Sequence, residues 1–168
     1  IIIYPSFERG GIENILVNLI NYLVRKKILI EIITVSNKLK NSKLLKTSKY
    51  LYINSTKEKK NFFLTNRINS ALQAAKILIK TIKKTNHKNS IIFSMQSSMI
   101  PILISKFYKI KIVARNAEDP ISSFVYSGKK IYSFVIFLLR FLIYNLSDGI
   151  ITNSYGSKKS LEVFLLNK

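Results

Sequence analysis

The sequence predicts an α/β fold, a doubly wound, mostly parallel sheet flanked by helices, on three observations. Short runs rich in Ile and Val alternate with longer segments in which apolar residues recur every three or four positions. The short runs are apolar on both faces, as strands buried in a parallel sheet are. The chemically interesting polar residues fall just after those runs, at the strand ends where such sheets hold ligands. Strand-then-helix alternation of this kind implies right-handed crossovers.

Residues 1–4 are the first predicted strand, ended by Pro5, which cannot donate to a ladder. Phe7-Glu8-Arg9-Gly10-Gly11-Ile12-Glu13 then reads as a tight turn into a helix. Gly10 and Gly11 admit backbone conformations closed to other residues and let a ligand approach the main chain closely. Glu13 falls in the first turn, where a carboxylate suits the positive helix end and unpaired N–H groups face outward as donors. A lone Gly-Gly is more simply a plain βα turn; what favours a ligand loop is that the rest of the chain repeats the strand-then-helix order. Ile12, Ile15, Leu16, Leu19, Ile20 and Leu23 predict the buried face of this helix, which runs to Arg25.

Residues 28–35 predict the second strand, 36–48 a lysine-rich loop, 50–53 a short third strand and 54–61 a charged loop. A long helix over 62–85 sets Ile68, Leu72, Ala75, Ile79 and Ile82 on one face. Strand four is predicted over 91–95, and Ser97-Ser98 offers an N-cap to a helix over 99–108, with Pro101 in its first turn. Strand five spans 110–114, with Arg115-Asn116-Ala117-Glu118-Asp119-Pro120 at its carboxyl end. An apolar helix interrupted by Arg140 follows over 132–146. Asp148-Gly149 turns into strand six, 150–152, and Asn153-Ser154-Tyr155-Gly156 opens a last helix over 157–166.

At 168 residues and 48% apolar, the chain is long enough for one core and predicts a single domain over 1–168. Its 28 Lys and Arg against 8 Asp and Glu give a formal charge of +20, which invites an anionic partner: nucleic acid, an anionic membrane surface or a phosphorylated substrate. The dominance of Ile, Lys and Asn also follows from A·T-rich coding DNA, so the charge alone selects no partner. No arginine-rich helix, aromatic RNA-binding signature or Cys/His finger spacing is present, and nucleic acid is not the expected partner. The absence of cysteine excludes disulfides and thiolate zinc sites and is compatible with the cytoplasm. His87, the one histidine, reads as a solvated residue at a helix end. The carboxylates are scattered apart from Glu118-Asp119, so no metal site is expected.

The apolar segment 132–146 is shorter than the roughly 20 residues that span a bilayer. It predicts a buried core helix. Phe124, Tyr126, Lys129, Lys130 and Tyr132 offer a second reading of this region, an aromatic and basic loop touching anionic lipid.

Taken in order, these motifs resemble the N-terminal half of retaining GT-B glycosyltransferases, the family 4-like group that includes bacterial polysaccharide and lipopolysaccharide transferases. Phe7 to Glu13 with Asn18-Leu19-Ile20-Asn21-Tyr22-Leu23 resembles the family's opening. Leu146-Ser147-Asp148-Gly149-Ile150-Ile151-Thr152-Asn153-Ser154-Tyr155-Gly156 is similar to its a-D-x-I-I-x-x-S-x-x segment. Ile112-Val113-Ala114-Arg115-Asn116 stands where the family has a strand whose end faces the acceptor. The resemblance covers essentially the whole chain.

It implies a Rossmann-like acceptor-binding domain whose donor-binding companion, with a Glu-x7-Glu motif, lies outside these residues. Alone, the chain is expected to be inactive. The enzyme so implied is a hexosyltransferase that moves sugar from a nucleotide-diphosphate donor, its co-substrate, to a glycan or lipid-linked acceptor in surface polysaccharide synthesis. No metal or other cofactor is expected, and the implied location is the cytoplasm, with peripheral contact to the anionic inner face of the cell membrane.

Residue by residue, Gly10 and Gly11 match the loop that approaches donor phosphate and acceptor, and Glu13 matches the acidic residue at that helix start. Many members place a histidine at the end of strand five. Arg115 and Asn116 occupy that neighbourhood here, with Glu118 or Asp119 as the substitute that orients the acceptor hydroxyl, unless that pair caps the next helix. Ser154 matches the family's serine and also reads as an N-cap.

Two other classes compete. A response-regulator-like binding module would need an acidic pocket after strand one, where only Glu8 lies. A non-catalytic basic α/β module for nucleic acid or a membrane surface would reveal itself by DNA retention that persists at moderate salt.

Overall fold

The computed structural model describes residues 1–5, 11–36, 39, 48–56, 65–84, 89–96, 98–116, 120–125 and 130–166. The chain divides into two compact units, Ile1–His87 and Lys88–Lys168.

The first unit contains β1 (Ile2–Ile3), α1 (Gly11–Arg25), β2 (Ile30–Thr34), β3 (Leu51–Ser55) and α2 (Asn66–Lys84). Its strands are parallel in the order β3-β2-β1, with Ile2 opposite Ile32 and Ile30 opposite Leu51. Ile3, Ile32 and Ile33 are fully buried with Leu16 and Ile20 of α1 and Leu78 of α2, as strands covered by helices require.

The second unit contains β4 (Ile91–Ser94), α3 (Met99–Phe107), β5 (Lys111–Asn116), α4 (Pro120–Val125), α5 (Lys130–Tyr144), β6 (Gly149–Thr152) and α6 (Tyr155–Phe164). Its strands are also parallel, in the order β4-β5-β6, with Ser94 opposite Ala114 and Asn116 opposite Thr152. Helix α3 packs on β5, α6 on β6, and α5 against α3 and α4. Each strand order is that of one half of a doubly wound Rossmann-like sheet. The α/β class expected from the alternation is therefore the class observed.

Helix faces depart from expectation more than helix positions do. The core face of α1 is Glu13, Leu16, Val17 and Ile20, whereas Ile15 is more than half exposed. The rotation follows from Glu13, a carboxylate carried inward because a buried partner receives it. On α2, Ile68 and Leu72 are exposed, and the buried face runs through Asn69, Ser70, Ala71, Ala74, Ala75, Leu78 and Ile82. Small side chains on that face allow a close approach to β2. Thr81 reaches Glu31 of β2 and Asn54 of β3, and Asn54 Nδ2 also donates to Glu31 Oε1.

Two helices end the same way. After α1, Lys27 N–H donates to Val24 O (3.0 Å) and Ile28 N–H to Leu23 O (3.1 Å). After α3, Lys109 N–H donates to Lys106 O (3.2 Å) and Ile110 N–H to Ser105 O (2.9 Å). Both are Schellman closures, and the turning residue is left-handed in each, Lys27 at φ 58° and Lys109 at φ 55°. Glycine is the usual occupant of that position, so a lysine there carries strain.

Helix α4 was not anticipated. Six residues are too few to display a helical period. Ser98 holds the position before α3 but makes no side-chain cap, its hydroxyl being committed elsewhere.

Candidate functional site

In the first unit, the β1 end turns at Pro5, whose carbonyl accepts from Val35 N–H (2.8 Å) and from Thr34 Oγ1 (3.5 Å). Gly11 is the first residue of α1 and is exposed. Its backbone is not left-handed, and an added Cβ would meet nothing within 4 Å. The expected need for a glycine-only conformation is therefore absent at Gly11, and among the described residues none crowds that position. Glu13, one turn in, is 6% exposed, and its Oε1 accepts from the Tyr4 hydroxyl. A buried carboxylate requires such a donor, because burial without one costs several kcal/mol.

In the second unit, the strand ends gather Arg115, Asn116 and Ser154. Along β5, Ile112, Ala114 and Asn116 are buried and Val113 and Arg115 half-buried, the alternation that a pleated strand imposes. Ser98 Oγ donates to the Arg115 carbonyl (3.5 Å), tying the start of α3 to the end of β5. Asn116 is buried opposite Thr152.

The Arg115 side chain stands out energetically. Its Nη1 is shielded from solvent and has no hydrogen-bond partner, the one buried side-chain nitrogen or oxygen of which this holds among the described residues. A guanidinium N–H removed from water without an acceptor costs on the order of 1–3 kcal/mol or more. Buried donors in native proteins almost always find a partner.

Ser154 spends its hydroxyl on α6. Ser157 N–H donates to Ser154 Oγ (3.2 Å), and Ser154 Oγ contacts Ser157 Oγ at 3.1 Å. It is an N-cap by geometry. Asp148, the carboxylate of the motif preceding β6, is structural as well. Its Oδ2 accepts from Ile112 N–H (2.8 Å), its own N–H donates to Ile112 O (3.0 Å), and Oδ1 meets Lys106 Nζ at 3.2 Å. Those bonds lock β6 beside β5.

Gly11 and Glu13 thus belong to one unit, and Arg115, Asn116 and Ser154 to the other. Gly10, Glu118 and Asp119 lie outside the described residues, as do His87, Tyr126 and Lys129. Sequence reasoning missed Tyr4 as the partner of Glu13 and Ser98 as the support of Arg115. A tyrosine closing a buried strand nine residues before the helix carboxylate was the available signal for the first; the second has no local signal. Among the described residues, no group of three or more His, Cys, Asp or Glu side chains is placed to hold a metal ion. Among them, too, no helix is long and apolar enough to cross a membrane.

No protein-family model matches the chain, and no curated protein matches it.

Proposed function

We propose that the chain is the acceptor-binding domain of a retaining GT-B glycosyltransferase. It works with a nucleotide-sugar-binding domain to transfer a sugar from a nucleotide-diphosphate donor to a hydroxyl of a glycan or lipid-linked acceptor in bacterial surface polysaccharide synthesis. The observation that supports the reading is the buried Nη1 of Arg115 at the carboxyl end of β5, which has no hydrogen-bond partner among the described residues. Ligands of doubly wound sheets bind at that end. Sugar hydroxyls and phosphates are both acceptors that a guanidinium N–H engages well.

In this reading Arg115 and Asn116 hold the acceptor, and Glu118 or Asp119 orients its reacting hydroxyl. Gly10 and Gly11 belong to the loop assigned to ligand approach, and Glu13 stiffens the helix start through Tyr4. Ser154 serves by fixing α6. The donor sugar nucleotide is the co-substrate and no metal is required. The protein works in the cytoplasm, against the inner face of the membrane where lipid-linked acceptors reside; nucleic acid is not its partner.

The test is calorimetric binding of a short-chain prenyl diphosphate-linked hexose and of soluble oligosaccharides to the chain. Loss of a charged hydrogen bond in Arg115→Ala is expected to weaken binding roughly tenfold or more. Arg115→Lys, with a point charge in place of a fork, recovers part of it. Absence of binding to any of these ligands, together with duplex DNA retention that survives moderate salt, overturns the reading in favour of a non-catalytic basic module.

A further inference from the structure

Two helices turn large side chains to solvent. On α5, where a buried core helix was expected, only one side is covered. The Phe137 and Phe141 rings lie 5.1 Å and 5.5 Å from Phe164 of α6, while Ile131, Phe134, Leu138 and Leu142 are exposed. No charge stands among those four to select an occupant.

The outer face of α2 (Asn66–Lys84) is different. Ile68, Leu72, Lys76, Lys80 and Lys84 are all exposed and each lies four residues from the next, so they form one continuous ridge on the helix surface. At 1.5 Å per residue the ridge is about 24 Å long. Its first two members are apolar, 45% and 40% exposed, and its last three are cations, with exposed Lys83 beside them. The other side of the helix, with Ala74, Leu78, Thr81 and Ile82, is buried. Apolar and basic residues are therefore sorted along the axis of this face.

The arrangement works against the helix itself. Lys76 and Lys80, and again Lys80 and Lys84, are like charges one turn apart, and each pair opposes helix formation. Helix α2 contains no carboxylate. Among the described residues, none of the four lysines is paired with one. Lys83 and Lys84 suit the negative helix end, but Lys76 and Lys80 lie outside the last turn.

The same arrangement selects an occupant. A helix lying in a bilayer needs apolar residues along its whole length, and here more than half of the ridge is charged. Nucleic acid would meet the cations and gain nothing from Ile68 and Leu72. A partner helix that is acidic at one end and apolar at the other matches both halves at once, its own ridge lying in the groove beside that of α2.

We propose that the outer ridge of α2 docks an amphipathic helix of a partner protein, with apolar side chains against Ile68 and Leu72 and carboxylates against Lys76, Lys80, Lys83 and Lys84. The proposal goes beyond the sugar-transfer reading and does not rest on it, since the ridge belongs to the first unit and Arg115 to the second.

The probe is a fluorescein-labelled, alanine-based helical peptide of about 20 residues. It carries Glu at three successive ridge positions and Leu at the next two, so that antiparallel docking sets each against its complement. A control peptide of the same composition interleaves Leu and Glu. Fluorescence anisotropy is expected to show the sorted peptide binding about fivefold or more tighter than the control, with an affinity that falls as salt screens the exposed pairs. Lys76→Glu sets a carboxylate four residues before Lys80, which favours the helix, so the variant keeps its fold. It is expected to weaken the sorted peptide about tenfold, because an attraction becomes a repulsion. Leu72→Gln, at an exposed position, is expected to weaken it about threefold.

Equal affinity for the two peptides overturns the proposal, as does undiminished binding of the sorted peptide to Lys76→Glu. Absence of peptide binding overturns it too. Should retention on duplex DNA or on phosphatidylglycerol vesicles then depend on Lys76, the ridge belongs to nucleic acid or to a lipid surface instead. Oligosaccharide binding by Lys76→Glu is measured in parallel and is expected to match the parent, which keeps a failure of the ridge apart from a failure of the acceptor-binding reading.

Discussion

The phenol of Tyr4 donates to the carboxylate of Glu13 at 2.5 Å, with both residues buried and nine positions apart in sequence. That bond joins the residue after β1 to the first turn of α1 and explains why an ionisable side chain faces inward there. Tyr4→Phe removes the donor but keeps the ring, and is expected to cost about 1–3 kcal/mol because the buried carboxylate loses a partner. Glu13→Gln, which retains an acceptor oxygen, is expected to cost less. Urea unfolding followed by circular dichroism ranks the two; a Tyr4→Phe protein as stable as the parent would deny the bond its structural role.

Gly11 separates stability from ligand access. Because its backbone is not left-handed and a Cβ meets none of the described residues, Gly11→Ala is expected to stabilise the fold by about 0.4–1 kcal/mol, by restricting the unfolded chain. If the main chain at Gly11 approaches a ligand, as the glycosyltransferase reading has it, the same variant binds the donor sugar nucleotide more weakly. Thermal melts and calorimetry on one protein sample read both effects.

Asp148 makes two kinds of contact that substitution can separate. Its ion pair with Lys106 joins side chains 35% and 40% exposed and is worth little, roughly 0–1 kcal/mol after solvent screening. Its bond to the Ile112 N–H is the larger contribution. Asp148→Asn is thus expected to stay within about 0.5 kcal/mol of the parent, while Asp148→Ala loses about 1 kcal/mol or more. Added salt should move neither value much.

Lys27 and Lys109 are sites where the sequence works against its own backbone. Replacing either with glycine relieves a left-handed conformation and is expected to raise stability by about 1 kcal/mol. Replacing either with valine, whose branched Cβ tolerates that conformation worse, should lower it. Denaturation midpoints for the four single variants suffice.

The strands were legible as short runs rich in Ile and Val, most plainly in β1 and β2 and least in β3, where Ile53 is the one such residue. Helix positions followed from the same spacing, but their orientation did not. On α1 the inward carboxylate of Glu13 and the omission of Val17 turned the expected face by part of a turn. On α2, periodicity counted Ile68 and Leu72, whereas the packing chose Asn69, Ser70 and Ala74. On α5 nearly every position is apolar, so no polar stripe existed to say which side faces water. The Ser154 cap was readable from a serine preceding a helix. The partnerless nitrogen of Arg115 was not, since it depends on what surrounds β5 rather than on neighbours in sequence.

The Schellman closures at Lys27 and Lys109 have a consequence for how the gene can change. Each fixes where the chain leaves its helix and therefore which way the next strand presents its residues. Along β5, Ile112 and Ala114 are buried and Lys111 is exposed. One codon inserted between Lys109 and Lys111 would exchange those faces and drive a lysine and Arg115 inward. The same insertion before Ile30 would trade Glu31 for Ile32 on a face that is buried. Substitution by glycine at these two turns is beneficial, while a change of length is not.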